Sequence, residues 1–314
     1  AEMVMASSLM KKNVLRKLSI SSVLVNLFFL ISTLVQPSLS LLKFGTLVKY
    51  LTFSIPSAMG EGGGMEEDLI KKTAEVIRRS KKVVALTGAG ISVESGIPDF
   101  RGAGGLWEKF DPMEYATIEA FTANPQKVWA MLKEMGSVVE KAAPNPAHFA
   151  LAKLEKLGFL SSIVTQNIDN LHQVAGSKRV IEFHGNSSKL ICLSCARLHD
   201  RKEVSLESLP PRCSCAGVLK PNVVFFGEAI PWRAHMEAKE EAASCELMLV
   251  IGTSAVVAPA CDLPLIAKRA GATIVEVNLE ETQLTRYVSD WVLKGSASAL
   301  LQALLNEIMS AGRG

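Results

Sequence analysis

The chain has 314 residues, 48% of them hydrophobic and 21% charged, enough apolar material for one large core or two modest ones, which excludes disordered, collagen-like and disulfide-stapled miniprotein classes. Thirty-four Lys and Arg against 31 Asp and Glu leave a formal charge of +3, too small a bias for nucleic-acid binding to be the main purpose, so no direct nucleic-acid partner is expected. Six cysteines are sparse at this length, and four of them crowd into residues 192–215 as two close pairs, a pattern of metal ligation in a reducing compartment.

Residues 1–64 are compositionally separate. They carry Lys11, Lys12, Arg16, Lys17, Lys43 and Lys49 against Glu2 and Glu61, so this head holds +4 and the other 250 residues hold −1 of the total. The 25 uncharged residues between Lys17 and Lys43 are long enough to cross a bilayer or to form a signal-peptide core. Three readings stand side by side: a membrane anchor, which alone would bring membrane contact; an organelle-targeting segment; or a leader or upstream extension outside the fold. In the third, Met65 is the natural start and the body is cytoplasmic. After the Gly-rich joint at Gly60–Gly64, Glu66, Glu67 and Asp68 fall in the first turn of an amphipathic helix expected from Met65 to about Ser80.

From Lys82 onward short β-branched runs alternate with helical periods, the pattern of parallel strands joined by crossover helices. Strands are predicted at Val83–Thr87, Ile163–Gln166, Val180–Phe183, Leu247–Ile251, Thr273–Asn278 and Trp291–Lys294. Asn145-Pro146 is a cap followed by proline at the first helical position and Gly158 is a stop, which predicts a helix over Pro146–Leu157. Further helices are expected near Trp232–Ala243 and Ala260–Ala270. No internal repeat is present. The fold class is a doubly wound α/β sheet, whose ligands sit beyond the carboxyl ends of the strands.

The chemistry collects at those ends. The first strand runs into Thr87-Gly88-Ala89-Gly90, where glycines let backbone N–H groups approach a phosphate, although alone they are as readily a tight turn. The next ends in Gln166-Asn167-Ile168-Asp169-Asn170, amide and acid groups suited to ribose hydroxyls and a carboxamide, or to an Asx-rich helix cap. The third ends in Phe183-His184-Gly185; a single histidine is more often structural, but its place beside the other two ends favours a catalytic role. Gly252-Thr253-Ser254 and Asn278 close two later strands and suit a phosphate and an adenosine ribose.

Cys192-Leu193-Ser194-Cys195 and Cys213-Ser214-Cys215, with seventeen residues between them, supply four soft ligands for tetrahedral Zn²⁺ in an inserted ribbon. Four thiolates leave no open position, so the metal is structural. Cys245 and Cys261 lie in apolar runs and are expected to pack as small hydrophobes.

Taken in order, GAGISVESGIPDFRG, TQNIDNLH, His184-Gly185, the two cysteine pairs, VVFFGE and GTS across residues 82–297 resemble the sirtuins, and within them the prokaryotic-type protein deacetylases. The resemblance implies NAD-dependent removal of acyl groups from lysine side chains of acetylated proteins bound as extended peptides, with NAD as co-substrate and one structural zinc. It implies that Gly88, Ala89, Gly90, Glu94, Asp99, Phe100 and Arg101 form the cofactor loop. Gln166, Asn167, Ile168 and Asp169 line the ribose and nicotinamide pocket, with Asn167 and His184 catalytic and His184 the general base. Gly252, Thr253, Ser254, Asn278 and Ala297 then hold the phosphate and adenosine side. Val224, Phe225, Phe226, Gly227, Glu228 and Val256 are the two edges between which an acyl-lysine peptide adds as a strand. The chemistry implied is attack of the acyl oxygen on C1′ of the nicotinamide ribose, then deprotonation of a ribose hydroxyl by His184, giving acyl-ADP-ribose and free lysine. The organisation implied is a head at 1–64, a Rossmann-like domain at 65–185 and 217–314, a zinc-ribbon module at 186–216, and a helical cofactor-loop module.

Three departures from the family pattern stand out: C-x-C in place of C-x-x-C at Cys213, Gly295-Ser296-Ala297 in the adenine-side loop, and Leu132 and Met135 where acidic-acyl sirtuins place Tyr and Arg. Without that arginine a succinyl carboxylate would be buried unpaired, so neutral acyl groups are expected. Protein mono-ADP-ribosyl transfer shares the NAD site and is the alternative activity. A non-catalytic NAD-binding or zinc scaffold would be expected to lack His184 or Asn167, and a hydride-transferring dehydrogenase would carry G-x-G-x-x-G.

Overall fold

The computed structural model describes residues 62–100 and 105–310; the apolar stretch at 18–42 and Arg101 lie outside them. Among the described residues no helix is long and apolar enough to cross a membrane.

Helix α1 (Gly62–Arg79) begins three residues before Met65, so Glu66 to Asp68 sit in its second turn rather than its first. Ala74 and Ile77, both buried in the core, fix its inward face. Strand β1 (Val83–Thr87) leads into a 3-10 helix at Ala89–Ser95. Four helices that the apolar periods did not reveal follow: α2 (Leu106–Lys109), α3 (Pro112–Tyr115), α4 (Ile118–Ala123) and α5 (Pro125–Lys141). Helix α6 (Pro146–Lys156) starts at Asn145, whose side chain accepts the Ala147 and His148 N–H groups.

Strand β2 (Ser162–Thr165) sits one residue earlier than expected; helix α7 (Leu171–Val174) and strand β3 (Val180–Glu182) follow. Next come β4 (Gly185–Cys192), β5 (Leu198–Asp200) and β6 (Leu219–Val223), then α8 (Trp232–Ser244) and β7 (Leu247–Ile251). The helix expected over Ala260–Ala270 is a 3-10 turn at Ala260–Asp262 running into α9 (Leu263–Arg269). Pro264 has no N–H to donate back to Ala260, so regular α-helical bonding starts only after it. Cys261, on that turn, is half-exposed rather than packed away, while Cys245 is buried. Strand β8 (Thr273–Asn278), helix α10 (Gln283–Tyr287), strand β9 (Trp291–Lys294) and helix α11 (Ala297–Ser310) complete the chain.

Six strands form one parallel sheet in the order β3-β2-β1-β7-β8-β9. Alternation along each strand loads both faces with apolar side chains, the condition for a buried parallel sheet. Ala85, Ile163, Leu249, Val275 and Leu293 face α1, α6 and α11, while Val84, Leu86, Val164, Met248, Val250 and Ile274 face α8 and α9. The order reverses between β1 and β7, which makes their carboxyl ends the switch point where ligands bind in such sheets.

The second lobe joins two segments distant in sequence. Strands β5-β4-β6 form an antiparallel sheet. Phe121, Val128, Trp129 and Met131 from α4 and α5 share one core with Leu190, Cys192, Cys213, Leu219 and Phe225 of the cysteine-bearing region. The Trp129 indole N–H, fully buried, donates to the Leu219 carbonyl at 2.8 Å. The helical and cysteine-bearing segments are therefore one packed unit.

Candidate active site at the strand ends

At the switch point the turns after β1 and β7 clasp each other. The Gly88 N–H donates to Ile251 O at 3.0 Å and the Gly90 N–H to Gly252 O at 2.8 Å. A Cβ on Gly88 would lie 2.7 Å from Thr253 Cβ, one on Gly90 would lie 2.8 Å from Gly252 Cα, and one on Gly252, at φ +58°, would lie 2.4 Å from the Ile91 nitrogen. Those glycines are thus required by the mutual approach of two turns, a reason beyond the phosphate site and the single tight turn that the sequence offered.

The polar groups of the second strand end tie into this clasp. The Asn167 amide donates to Gly88 O at 3.1 Å and to Ser92 Oγ at 3.2 Å, and Ser92 Oγ donates to Asp169 Oδ2 at 2.7 Å. The Gln166 amide donates to Thr253 Oγ1 at 3.1 Å, and the Asn278 amide donates to Thr253 O at 3.0 Å. Gln166, Asn167, Asp169, Gly88, Gly252, Thr253 and Asn278 are therefore one hydrogen-bonded constellation, with Ala89 and exposed Ser254 on its two turns. Ile168 is turned toward the second lobe and packs on its core. Glu94 accepts the Ser298 N–H at 3.1 Å, capping the start of α11 beside buried Ala297. Asp99 and Phe100 accept N–H bonds from Leu106 and Trp107 through their carbonyls, and the Phe100 ring lies 5.1 Å from that of Trp107.

His184 Nδ1 lies 3.0 Å from the Gln166 carbonyl. A carbonyl only accepts, so Nδ1 carries the proton and Nε2 keeps its lone pair. Burial holds the imidazole below its ordinary pKa, against a smaller upward pull from that hydrogen bond, so the ring is neutral and basic at physiological pH.

Several contributors were not singled out from sequence. Asn145, seen there only as a cap, also donates to Ile91 O at 2.7 Å and Ser95 Oγ at 3.0 Å, pinning the 3-10 helix. Ser92 was quoted within a motif but given no role. His148 and His172 pack against each other with ring centroids 4.9 Å apart and planes tilted by 57°, and His172 Nε2 lies 2.9 Å from Thr87 Oγ1. Burial pushes His148 down to about 4, with Asp169 opposing, and His172 down to about 3, so both are neutral.

On the peptide side, Phe226 and Val256 are exposed, but the Phe225 side chain is buried in the second core. The N–H groups of Val224, Phe225, Phe226 and Glu228 are taken by His184 O, Glu228 Oε2, Ala116 O and Phe225 O. Leu132 and Met135 are partly buried against the same core.

The four sulfur atoms of Cys192, Cys195, Cys213 and Cys215 lie within 4.8 Å of one another, with Cys192 to Cys215 at 3.5 Å and Cys195 to Cys213 at 3.8 Å. A tetrahedron of ~2.3 Å Zn–S bonds has edges of about 3.8 Å, so the set fits zinc, and the C-x-C spacing does not prevent it. Knuckle N–H groups, those of Cys195 and Cys215 foremost, hold the Cys192 and Cys213 thiols below the ordinary range, Cys213 at about 5, while against the Gly217 N–H the neighbouring cysteine sulfurs push Cys215 up to about 11.

A reversed parallel sheet with polar groups converging at its switch point, a neutral histidine and a four-thiolate cluster defines a nucleotide-using enzyme with a structural metal. The Sir2 family profile matches residues 88–259, and the chain belongs to that family. The NAD-dependent protein deacylase 2 of Archaeoglobus fulgidus is 47% identical over 247 residues, covering 77% of this chain and 97% of that protein. The NAD-dependent protein deacetylase of Sulfolobus acidocaldarius is 45% identical over 247 residues, covering 77% and 96%. A solved Sir2 structure with a p53 peptide and NAD+ is 38% identical, covers 76% of this chain and 98% of its own, and superposes with a TM-score of 0.70.

Proposed function

We infer that this chain is an NAD-dependent protein-lysine deacylase acting on acetyl and other neutral acyl groups. The observation that carries this reading is the His184 tautomer, with an Nε2 lone pair available beside a constellation of ribose-type hydrogen-bonding groups. The donor set suits NAD: Gln166 and Asn167 offer amides, Asp169 a carboxylate, and Ser298 Oγ is a buried hydroxyl without a partner beside Ala297. Bound NAD supplies an electrophilic ribose carbon with nicotinamide as leaving group.

The roles then fall to this chain's own side chains. Asn167 and Asp169, braced by Ser92, hold the nicotinamide ribose, and Gln166 holds the same region from Thr253. His184 Nε2 takes a ribose hydroxyl proton, its orientation kept by the Nδ1–H bond to Gln166. Gly252, Thr253, Ser254, Asn278 and Ala297 serve the phosphate and adenosine side; Gly88, Ala89, Gly90, Glu94, Asp99, Phe100 and Arg101 form the cofactor loop. The half-exposed Phe100 ring excludes water from the reacting centre. The peptide adds as a strand between Val256 and the Val224–Glu228 edge, and since four N–H groups of that edge are taken, Gly227 is its donor. Cys192, Cys195, Cys213 and Cys215 hold zinc, which supplies a cross-link and no reactive water. We assign the head to 1–64 and the cysteine ribbon to 186–216, packed with α4, α5 and β6 as the second lobe of a domain at 65–185 and 217–314, and the body to the cytoplasm, where thiolates stay reduced.

Preference for neutral acyl groups rests on Leu132 and Met135, apolar and partly buried, while the nearby Lys109 and Lys127 already pair with Glu134 and Glu114. Acetyl-lysine and succinyl-lysine forms of one peptide, offered in competition, test it. Acetyl should be removed at least tenfold faster, and faster removal of succinyl overturns the assignment.

A further inference from the structure

A buried ammonium lies under the peptide edge. Lys220, on β6, is only 4% exposed. Its Nζ donates to Val223 O at 2.6 Å and to Glu228 Oε2 at 2.9 Å, and it stands 4.6 Å from the centre of the Phe225 ring. The same Glu228 oxygen accepts the Phe225 N–H at 2.8 Å. One cation thus gathers the start, the middle and the end of the segment Val223–Glu228. The wrapped segment is then fastened from outside: Val224 N–H donates to the carbonyl of His184 at 2.9 Å, and Phe226 exchanges N–H and carbonyl bonds with Ala116 and Ile118.

We propose that Lys220 is a positioning residue for acyl-peptide binding, holding the Val224–Glu228 edge in the curved form that presents Gly227 to the substrate backbone. It touches neither substrate nor NAD and acts through Glu228 and the Val223 carbonyl. A lysine in the interior is costly unless paired, and nothing in the packing of the ribbon core calls for a charge at this position. The charge serves a segment whose N–H groups would otherwise pair as a flat strand, closing the edge that the peptide uses. Removing the ammonium leaves the Glu228 carboxylate, 25% exposed, with the Phe225 N–H and water as its partners, and the Val223 carbonyl without its donor, so the wrap from Val223 to Glu228 loosens.

The inference rests on the deacylase reading, and the experiment separates the two. Steady-state kinetics with an acetyl-lysine peptide and NAD are measured for the wild-type full chain, Lys220→Met, Lys220→Arg and Lys220→Met/Glu228→Gln. If the wild type does not deacylate the peptide, the functional reading fails. If it does, Lys220→Met should raise the peptide KM at least tenfold while kcat and the NAD KM stay within about threefold. Lys220→Arg, which keeps the charge but not the point geometry, should recover at least half of the loss on a logarithmic scale. The double variant should bind peptide better than Lys220→Met alone, because no unpaired carboxylate remains. A peptide KM within twofold of wild type in folded Lys220→Met overturns the proposal, as does an equal fall in every kinetic constant. Should Lys220→Met fail to fold, Lys220→Arg decides: a peptide KM raised at least threefold with the NAD KM unchanged supports the proposal, and an unchanged peptide KM overturns it.

Discussion

Acidification should strike first at the two histidines buried behind the glycine clasp. His148 and His172 are essentially inaccessible to water, and burial holds their pKa values at about 4 and about 3, below the ordinary 6.5. The fold therefore holds both rings neutral, and the unfolded chain binds protons more readily. Their contribution to stability is fully present above the unfolded value, is lost as pH falls below it, and levels off beneath the folded values. At about pH 5 each ring sits roughly 1.5 units below the unfolded value, and at ~1.36 kcal/mol per unit each costs about 2 kcal/mol of folding free energy. Reversible urea unfolding at about pH 7.5 and about pH 5 measures the loss. His172→Gln, which keeps a hydrogen-bonding group for Thr87 Oγ1 but cannot titrate, should shrink the difference by about 2 kcal/mol. His184, also held low, shifts both proteins alike and cancels. An identical pH dependence in wild type and His172→Gln would refute the reasoning.

Other consequences are equally direct. Gly252→Ala forces a Cβ to 2.4 Å from the Ile91 nitrogen at a positive φ, so it should lower stability by roughly 2 kcal/mol or more and weaken NAD binding, measured by denaturation and calorimetry. Cys215→Ser should release the metal, measured as zinc per chain by mass spectrometry of the metal. Because Cys192 and Cys213 belong to the same core as Phe121 and Trp129, near-ultraviolet dichroism of the buried Trp129 should also collapse. The acid limb of kcat/KM should lie below pH 6.5, since burial lowers the His184 pKa and the neutral ring is the working form; a limb above 6.5 contradicts that environment.

The strands were legible because a sheet covered on both faces writes continuous apolar runs, and four of six matched residue for residue. Helices α2 to α5 were not read, although Asp111-Pro112 and Asn124-Pro125 repeat the cap-and-proline signature that located α6 at Asn145-Pro146. Three of the four are six residues or shorter, so no long period marks them, and α3 and α4 touch the second core through Tyr115, Ile118, Ala120 and Phe121. At the site, side chains just beyond strands were legible from the rule that places ligands there. The dual role of Asn145, reaching Ile91 across 54 residues, was invisible because only the closed fold joins them. The pairing of His148 with His172 was hidden in the same way, and Lys220 carried no motif that set it apart from other lysines.

The most direct measurement is mass spectrometry of an acetyl-lysine peptide incubated with the full chain, with and without NAD, beside a His184→Ala control. The account predicts a loss of about 42 Da that requires both NAD and His184, with acetyl-ADP-ribose as co-product. Consumption of NAD while the peptide stays acetylated, or deacetylation that survives loss of the imidazole, contradicts it.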